Sequence, residues 1–491
     1  MFAAGGRARA RAFPTITIPG KLIRCRYVFT VCAFGCHGRR GSAGRNFLGV
    51  SSWACLATGG VAESPDSPRR DFGLVRPERL RCCDMADALL LDLVHGCCAS
   101  PRGLSVTDAR VFLLRGKHER DLNKPPGSAR VLDCESTAEG LFRLKQILDQ
   151  LDLKSVQVVT SPRGRDRLRR YLSLLFTDVY EFSFLVECAS CSGHAHPDRP
   201  AQVEPDAEKE VAEYLHELPA LKGPVSVLTS SLIPDLFGHG FSCRTGGVTD
   251  IATLSALNLF SSRQRRDPPA VVQENQRRLA LHAGFHPRPL LMLKVEHSNR
   301  VWVLGRDEPE RFDAMVTDRA GVVLAAPGAD CIPILLADPV TRVIGVAHAG
   351  WRGTLMGVAV ATVEAMVTGF GCRVQDLLVV LGPSVGPCCF RLDRERALDF
   401  HPDCVADPGS ERPHVNIRLQ NRILLQRGGV LPERIHDDTV SGRAGVTLCT
   451  SCHPQRFFSH VRDGPNFGTQ VGFLWIKERP EPERPAGGAA S

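Results

Sequence analysis

Long apolar runs and a chain-wide excess of charge are both missing from this sequence. Of its 491 residues, 43% are apolar and 23% are charged, which is typical of a globular protein. No uncharged apolar run approaches the roughly 18–20 residues that a membrane helix needs, so we do not expect an integral membrane protein. The net charge of +8 comes from residues 1–84, which hold 14 Lys and Arg against 5 Asp and Glu. The remaining chain is nearly neutral, which predicts no nucleic-acid-binding face.

Acidic residues are absent from the first part of the chain, because no Asp or Glu precedes Glu63. An Arg-rich, acid-poor segment is typical of an organelle transit peptide. The alternative is an extension outside the fold, or one that is not translated, with synthesis beginning at Met85. Residues 1–84 are therefore a basic extension that we expect to be disordered or separate from the fold, and both interpretations stay open.

Cysteine is abundant, with 19 residues. An odd number excludes complete pairing within one chain. Disulfide frameworks belong to short secreted domains, whereas this chain is long enough to bury large cores. We therefore expect mostly reduced thiols in an intracellular protein.

Alternating strand and helix signals after Met85 predict a small α/β domain over residues 85–191. Ser136 and Glu139 form the capping-box pattern, which predicts the start of a helix. The predicted elements are strands at 89–94, 110–114 and 156–160, and helices at 141–151 and 165–176. Residues 192–205 are rich in His, Pro and polar residues and are interpreted as a linker.

A second, larger domain is predicted over residues 206–477, followed by a disordered tail at 478–491. Its predicted helices cover 206–218 and 271–282, and its predicted strands cover 225–228, 241–244, 290–295, 332–337 and 342–346. The fold class that follows is α/β, with a small N-terminal α/β domain before the larger one.

Three strand ends in the larger domain carry residues that bind zinc readily. His297 follows the strand at 290–295, while Cys331 and His348 flank the two strands of a predicted hairpin. Pairing of those strands brings their outer ends together, so Cys331 and His348 can share a site, and His297 would come from a neighbouring strand. Three protein ligands with one open position are typical of catalytic zinc.

Several longer motifs resemble those of the YfiH family, the laccase-domain proteins once called multicopper polyphenol oxidases. They are Gly-Ala-Asp-Cys-Ile-Pro at 328–333, Ala-His-Ala-Gly-Trp-Arg-Gly at 347–353, Leu-Gly-Pro-Ser-Val-Gly-Pro-Cys-Cys-Phe at 381–390 and Phe-Phe-Ser-His-Val-Arg-Asp-Gly at 457–464. The stretches at 229–237 and 244–247 are similar to those of the family's animal members. The resemblance covers residues 85–477.

This resemblance implies an α/β fold with a mixed sheet and one metal ion per chain, zinc rather than copper, bound by His297, Cys331 and His348. It also implies phosphorolysis of inosine, guanosine, adenosine and methylthioadenosine, and deamination of adenosine to inosine. The implied partners are purine nucleosides and inorganic phosphate. Protein partners could bind through residues 85–191. The implied location is the cytoplasm, with nuclear, endoplasmic reticulum or peroxisome association left open.

Catalytic roles are expected for the ligand Cys331 and are considered for five further residues. Asp330 adjoins this ligand, and Glu296 adjoins His297; each could be a general acid or base, or could only orient its neighbour. The cations expected to hold phosphate are Arg352, at the start of a helix, together with Arg244 and Arg462. For each arginine an ordinary salt bridge is the alternative.

Two other interpretations of the whole chain stay open. One is a non-catalytic scaffold in which zinc only joins strands. The other is a copper-dependent phenol oxidase, although blue-copper oxidases need repeated His-x-His motifs and this chain has one, His194–His196. The remaining cysteine groups are interpreted as packing or incidental residues rather than metal or redox sites. They are Cys188 with Cys191, Cys388 with Cys389, and Cys449 with Cys452 and His453.

Overall fold

The computed structural model of the chain describes residues 86–95, 110–116, 129–186, 206–443 and 445–478. The basic extension, Met85, the linker, the tail from 479 onward and the Cys and His residues at 188–196 lie outside the described residues. No helix within the described ranges is long and apolar enough to cross a membrane.

The N-terminal sheet is parallel, with the strand order β3-β2-β1-β4-β5. Its strands are β1 (Ala88–Asp92), β2 (Val111–Gly116), β3 (Arg130–Cys134), β4 (Ser155–Thr160) and β5 (Glu181–Val186). The helices beside it are α1 (Thr137–Gln150), α2 (Pro162–Leu175) and α3 (Ala207–Glu217). The predicted strands and helices of this region are confirmed, whereas β3 and β5 were not predicted.

Helix α1 begins at the predicted capping box, with one difference in its hydrogen bonds. The Ser136 hydroxyl accepts the N–H of Glu139 at 3.1 Å, as the motif requires. The Glu139 carboxylate accepts the N–H of Glu135, at 2.7 Å, instead of that of Ser136. The carboxylate therefore anchors the residue before the cap.

Helix α3 lies beyond the predicted start of the larger domain, yet its apolar side is buried in the core of the N-terminal sheet. Val211 and Leu215 pack in the same cluster as Leu144 of α1 and Leu168 of α2. A helix buries its apolar stripe against whichever surface it reaches, and the sequence pattern does not identify that surface. The domain boundaries at 191 and 206 stay a prediction.

The larger part contains two mixed sheets and a short two-stranded pair, β15–β16. One sheet has the order β17-β14-β12-β13-β10-β9 and the other the order β6-β7-β18-β11-β8. The strands are β6 (Val227–Leu228), β7 (Phe237–Ser242), β8 (Leu290–Met292), β9 (Val301–Val303), β10 (Ala314–Thr317), β11 (Val323–Gly328), β12 (Ile332–Asp338), β13 (Val343–Ala349), β14 (Leu378–Leu381), β15 (Val405–Ala406), β16 (His414–Val415), β17 (Ile435–His436) and β18 (Gln470–Ile476). The helices are α4 (Pro269–Ala283), α5 (Trp351–Leu355), α6 (Val358–Phe370), α7 (Arg394–Ala397), α8 (Ile417–Arg427) and α9 (His460–Asp463), with 3₁₀ turns at Val374–Asp376, Pro402–Cys404 and Pro432–Arg434.

The two mixed sheets pack face to face and are covered by helices on their outer faces. Leu335 and Val346 of one sheet share a buried cluster with Leu324 and Leu474 of the other. Helices α6 and α8 cover the first sheet, and α4 covers the second. The predicted fold class, a small α/β part followed by a larger α/β part with mixed sheet, is confirmed.

The chain crosses from one mixed sheet to the other through a three-residue link between β11 and β12. This link consists of residues 329–331, and it follows Gly328 and precedes Ile332. Asp330, in its middle, has a φ of +100°, outside the region that non-glycine residues usually adopt. The link therefore makes a sharp change of direction, and it carries two of the residues singled out in the sequence.

Candidate functional site

Three metal-ligating side chains meet at one end of the β12–β13 hairpin. Cys331 directly precedes β12, and His348 lies in β13 opposite Pro333, so the predicted hairpin is confirmed. His297 lies in the loop between β8 and β9. The ligand atoms of the three residues all lie within 4.8 Å of one another. The strand predicted to lead into His297 is too long, because β8 ends at Met292 and His297 has a left-handed φ of +66°.

A buried carboxylate, Asp313, orients two of these ligands at once. Its Oδ1 atom accepts the backbone N–H of His297 at 3.0 Å and lies 2.9 Å from His348 Nδ1. Its Oδ2 atom accepts the N–H groups of Glu296 and Ser298. Because a carboxylate only accepts, Nδ1 of His348 carries a proton, and Nε2 is the ring nitrogen that can serve as a ligand atom.

Asp313 is ionised throughout the neutral range. Burial raises its pKa, but the hydrogen bonds from His348 and from the Ser298 and Glu296 backbone outweigh burial and lower the pKa to about 2. Sequence reasoning missed this residue. It precedes β10 in an unremarkable stretch, and nothing in its surroundings resembles a ligand motif, so only the fold brings it to the site.

The electrostatics of the site favour a deprotonated sulfur. Burial raises the pKa of the Cys331 thiol, but the adjacent His348 and His297 rings outweigh burial and lower its pKa to about 6. Burial lowers the pKa of His348, whereas Cys331 and Asp313 raise it to about 9. The protein thus stabilises the thiolate, the form in which cysteine binds metal ions.

Gly350 leaves the space in which the three ligands meet. A Cβ atom at this position would lie 2.9 Å from His297 Cδ2 and 3.0 Å from Cys331 Sγ. Any side chain would therefore push two ligands apart. The donor set, its buried carboxylate and this glycine together fit a metal ion of borderline or soft character.

The three ligands line a cavity of about 830 Å³. Its wall is partly aromatic and partly cationic, two properties that suit a planar ligand carrying negative charge. The aromatic members are Phe260, Trp351, Phe390 and Phe467, and the charged or ionisable members include Arg265, Arg391, Arg412 and His460. The sequence motifs contained Trp351, Phe390 and His460 without indicating that these residues face the ligands, and no motif contained Phe260, Phe467, Arg265, Arg391 or Arg412.

Asp330 lines the same cavity, as expected of a residue beside Cys331. Its Oδ1 atom accepts the Thr450 hydroxyl and its Oδ2 atom accepts the N–H of Val461, both at 2.6 Å. Burial raises the pKa of Asp330, and these hydrogen bonds oppose burial. The carboxylate is therefore positioned to hold the segment that carries His460 against the link between the sheets.

The three arginines expected to bind phosphate lie outside the described lining of the cavity. Arg244 is buried, and its three guanidinium nitrogens donate to the carbonyls of Ser255, Pro454 and Ala252. Arg462 donates to the Thr450 and Phe457 carbonyls and to Asp463. Arg352 is exposed, and its guanidinium carbon lies 5.1 Å from the centre of a Trp351 ring. Their catalytic roles stay predictions.

Comparison with known proteins agrees with the motifs. Residues 238–477 match the family described as multi-copper polyphenol oxidoreductase laccase. A human protein named purine nucleoside phosphorylase LACC1 is 49% identical over 357 residues, covering 71% of this chain and 82% of that protein. A Bacillus subtilis protein named purine nucleoside phosphorylase YlmD is 30% identical over 49% of this chain and 88% of its own length. A prokaryotic protein named adenosine deaminase RL5 is 31% identical over 49% of this chain and 94% of its own length.

The chain belongs to this laccase-domain family, which confirms the resemblance seen in its motifs. The matched residues contain the three metal-type ligands, Asp313 and all the residues that line the cavity. Relatives in the family carry names of two different reactions on purine nucleosides.

Proposed function

We propose that this protein is a zinc-dependent purine nucleoside enzyme. It phosphorolyses inosine, guanosine, adenosine and methylthioadenosine to a base and a ribose 1-phosphate or its methylthio analogue, and it deaminates adenosine to inosine. The observation that carries the proposal is the group His297, Cys331 and His348, which opens onto a cavity with both aromatic and cationic walls. The names of the relatives support the same substrate class.

The ligand set His297, Cys331 and His348 fits one zinc ion. When bound, zinc with an open coordination position supplies Lewis acidity that polarises an oxygen and lowers the pKa of water. The residues of the chain hold this group in place, because Asp313 fixes the tautomer of His348 and the backbone of His297 together. The presence of a thiolate among three ligands favours zinc over the harder ions magnesium and calcium.

Phosphorolysis needs a place for phosphate and a place for the base. A phosphate oxygen forms a bond to C1′ of the ribose, the C1′–N9 bond breaks, and its electron pair leaves with the base, which takes up a proton. Arg391, Arg412 and Arg265 supply positive charge on the cavity wall for the phosphate. The rings of Phe260, Trp351, Phe390 and Phe467 provide stacking surfaces for the purine.

Proton transfer to the base is assigned to His460, and Asp330 is its positioning residue. His460 lies on the cavity wall at the start of α9, and its ring centroid is 5.0 Å from that of Phe467. Asp330 holds the next residue, Val461, by its N–H. In deamination, a water oxygen forms a bond to C6 of adenosine and ammonia leaves as the C6–N6 bond breaks, so the same histidine can move the protons.

The decisive experiment incubates the full chain with adenosine, with and without inorganic phosphate, and separates the products by chromatography. We expect inosine in both conditions, and ribose 1-phosphate with adenine or hypoxanthine when phosphate is present. Cys331→Ala should abolish all products. Cys404→Ala is the matched control, because Cys404 is a buried thiol in the core of the larger part and is not among the residues that line the cavity. Both variants must retain the circular dichroism spectrum of the parent chain.

Two outcomes would overturn the proposal. No product from a folded, zinc-loaded protein would support the scaffold interpretation. Oxygen consumption with a phenol, dependent on copper, would support the oxidase interpretation. The cytoplasmic location and the protein partners expected through residues 85–191 stay predictions beside this proposal.

A further inference from the structure

Four cysteines from two distant segments meet outside the His297, Cys331 and His348 site. Cys388 and Cys389 lie in a turn after β14, and Cys449 and Cys452 lie in a turn before α9. Their four sulfur atoms all lie within 4.8 Å of one another. Cys452 Sγ is 3.5 Å from Cys388 Sγ and 3.4 Å from Cys389 Sγ. In the sequence the two pairs are far apart, and each is interpreted there as packing residues.

The backbone brings the two turns together independently of the sulfur atoms. Ser384 donates its N–H to the Leu448 carbonyl at 3.1 Å, and Thr450 donates its N–H to the Ser384 carbonyl at 3.0 Å. This short parallel bridge fixes the register between the segments. A turn then follows, in which Cys389 donates its N–H to the Gly386 carbonyl at 3.0 Å. This turn brings the side chains of Cys388 and Cys389 to the same side, whereas in a strand two adjacent side chains would point to opposite faces.

We propose that Cys388, Cys389, Cys449 and Cys452 form a second metal site, a structural four-thiolate site for zinc. Structural zinc sites are closed and tetrahedral, and a Cys-x-x-Cys pair is a usual half of such a site. With zinc–sulfur bonds of about 2.3 Å, the sulfurs of a tetrahedral site lie about 3.8 Å apart. The observed separations need only small side-chain adjustments to reach this geometry.

The surroundings fit a bound thiolate cluster. The N–H of Gly386 donates to Cys449 Sγ at 3.3 Å, a contact that stabilises negative sulfur. Cys388 and Cys452 are exposed, so an ion can enter from solvent, while Cys449 is buried at the base of the group. The neighbouring His453 is directed elsewhere, since its Nδ1 lies 2.8 Å from the Cys449 carbonyl. Among the residues that the structure describes, the four sulfurs therefore form the donor set.

A disulfide is the competing use of these residues. Cys452 lies equally close to Cys388 and Cys389, and a disulfide would use only two of the four sulfurs. The convergence of all four is what a single ion requires and what a disulfide does not explain. The structure therefore favours metal binding.

The position of the cluster connects it to the cavity. Cys389 lines the cavity wall directly before Phe390 and Arg391. Thr450, in the other turn, donates its hydroxyl to Asp330. A metal joining the two turns would thus hold two parts of the cavity wall in register, without contacting the substrate.

The test counts zinc in the full chain, loaded with zinc after chelator treatment under reducing conditions and freed of excess metal. Elemental mass spectrometry should find about two zinc ions per chain in the parent protein and about one in Cys331→Ala. Zinc X-ray absorption of Cys331→Ala should show sulfur neighbours alone, at about 2.3 Å. The double variant Cys388→Ser with Cys452→Ser should also hold about one zinc, now with nitrogen neighbours. Cys404→Ala should keep both ions.

The informative sample is Cys331→Ala, because it leaves the four-thiolate cluster intact even if the double variant does not fold. A Cys331→Ala protein without zinc, or four cluster thiols that react freely after zinc loading, would overturn the proposal. A disulfide at Cys452 in freshly prepared protein, detected by peptide mass analysis, would also overturn it. These results do not depend on activity, so failure of the proposed purine chemistry would be seen separately.

Discussion

Replacing Asp313 by Asn tests the idea that one carboxylate organises the metal site. Asp313 lies within hydrogen-bond distance of the His348 ring and accepts the backbone of His297. Asn has a similar shape but no charge. Its NH2 group would also face N–H donors that now bind the Asp313 carboxylate, such as the His348 ring and the His297 backbone. Loss of such an outer partner typically lowers metal affinity 10–100-fold, which is about 1.4–2.7 kcal/mol of binding free energy.

The magnitude should lie toward the upper end of that range. The low pKa of Asp313, about 2, shows that the surrounding donors strongly stabilise its charged form, although burial opposes this. All of those donors lose an ionised acceptor in Asp313→Asn. We therefore expect zinc to bind close to 100-fold more weakly at the site of His297, Cys331 and His348.

The assay is a competition titration of zinc against a chromophoric chelator, with the four-thiolate site removed or already saturated. Asp437→Asn is the matched control, because Asp437 is also a buried carboxylate, is paired with Arg422 and is not among the residues that line the cavity. An unchanged zinc affinity in a folded Asp313→Asn protein would refute the reasoning, and so would an equal loss in Asp437→Asn.

Three further substitutions test other parts of the structure. Gly350→Ala should lower zinc affinity at least tenfold, since the added Cβ would come within 3.0 Å of two ligand residues; the chelator titration measures this. Arg265→Gln should raise the KM for phosphate about tenfold with a smaller change in kcat, because one cation of the cavity wall is removed; phosphate-dependent kinetics measure this. Asp267→Asn should change the pH dependence of stability. Burial raises the pKa of Asp267 to about 6, although Lys145 and the hydrogen bonds from Asn258 and Thr249 oppose it. The stabilisation from its neutral form is complete below about pH 4 and is lost as the pH rises through 6, so the variant should gain up to about 3 kcal/mol relative to the parent across that window; denaturant titrations at several pH values measure this.

Each of these predictions has a clear contrary result. Gly350→Ala with parental zinc affinity would mean that the ligands do not meet at that glycine. Arg265→Gln that changes kcat alone would place Arg265 outside the phosphate site. A stability difference between Asp267→Asn and the parent that stays constant from pH 4 to pH 7 would show that Asp267 does not titrate in this range, whatever the size of the constant difference.

The elements that follow from local pattern were predictable from the sequence. The hairpin that unites Cys331 with His348 comes from two apolar runs and a turn, so their shared site could be inferred. The cap at Ser136 likewise depends on residues three positions apart. Both interactions span a short stretch of chain, and the sequence records them directly.

The interactions that depend on the packing of distant segments could not be predicted. Asp313 meets His348 across 35 positions, and the cysteines at 388 and 452 meet across 64. Arg244 is a similar case, since its guanidinium group donates to distant backbone carbonyls that no local pattern identifies, and its expected phosphate contact stays a prediction. These contacts form only when whole sheets pack together, and a local sequence pattern contains no information about that packing.

Because of the three-residue link between β11 and β12, the geometry of the candidate metal site depends on how the two mixed sheets are stacked. Cys331 is the last residue of that link, while His348 belongs wholly to one sheet. A slide of one sheet over the other, too small to expose the core between them, would displace His297, whose loop joins β8 of one sheet to β9 of the other, relative to Cys331 and His348. Packed interiors transmit displacement rather than absorb it. Substitutions in the distant core would therefore lower the affinity of the site for metal before they cause measurable unfolding.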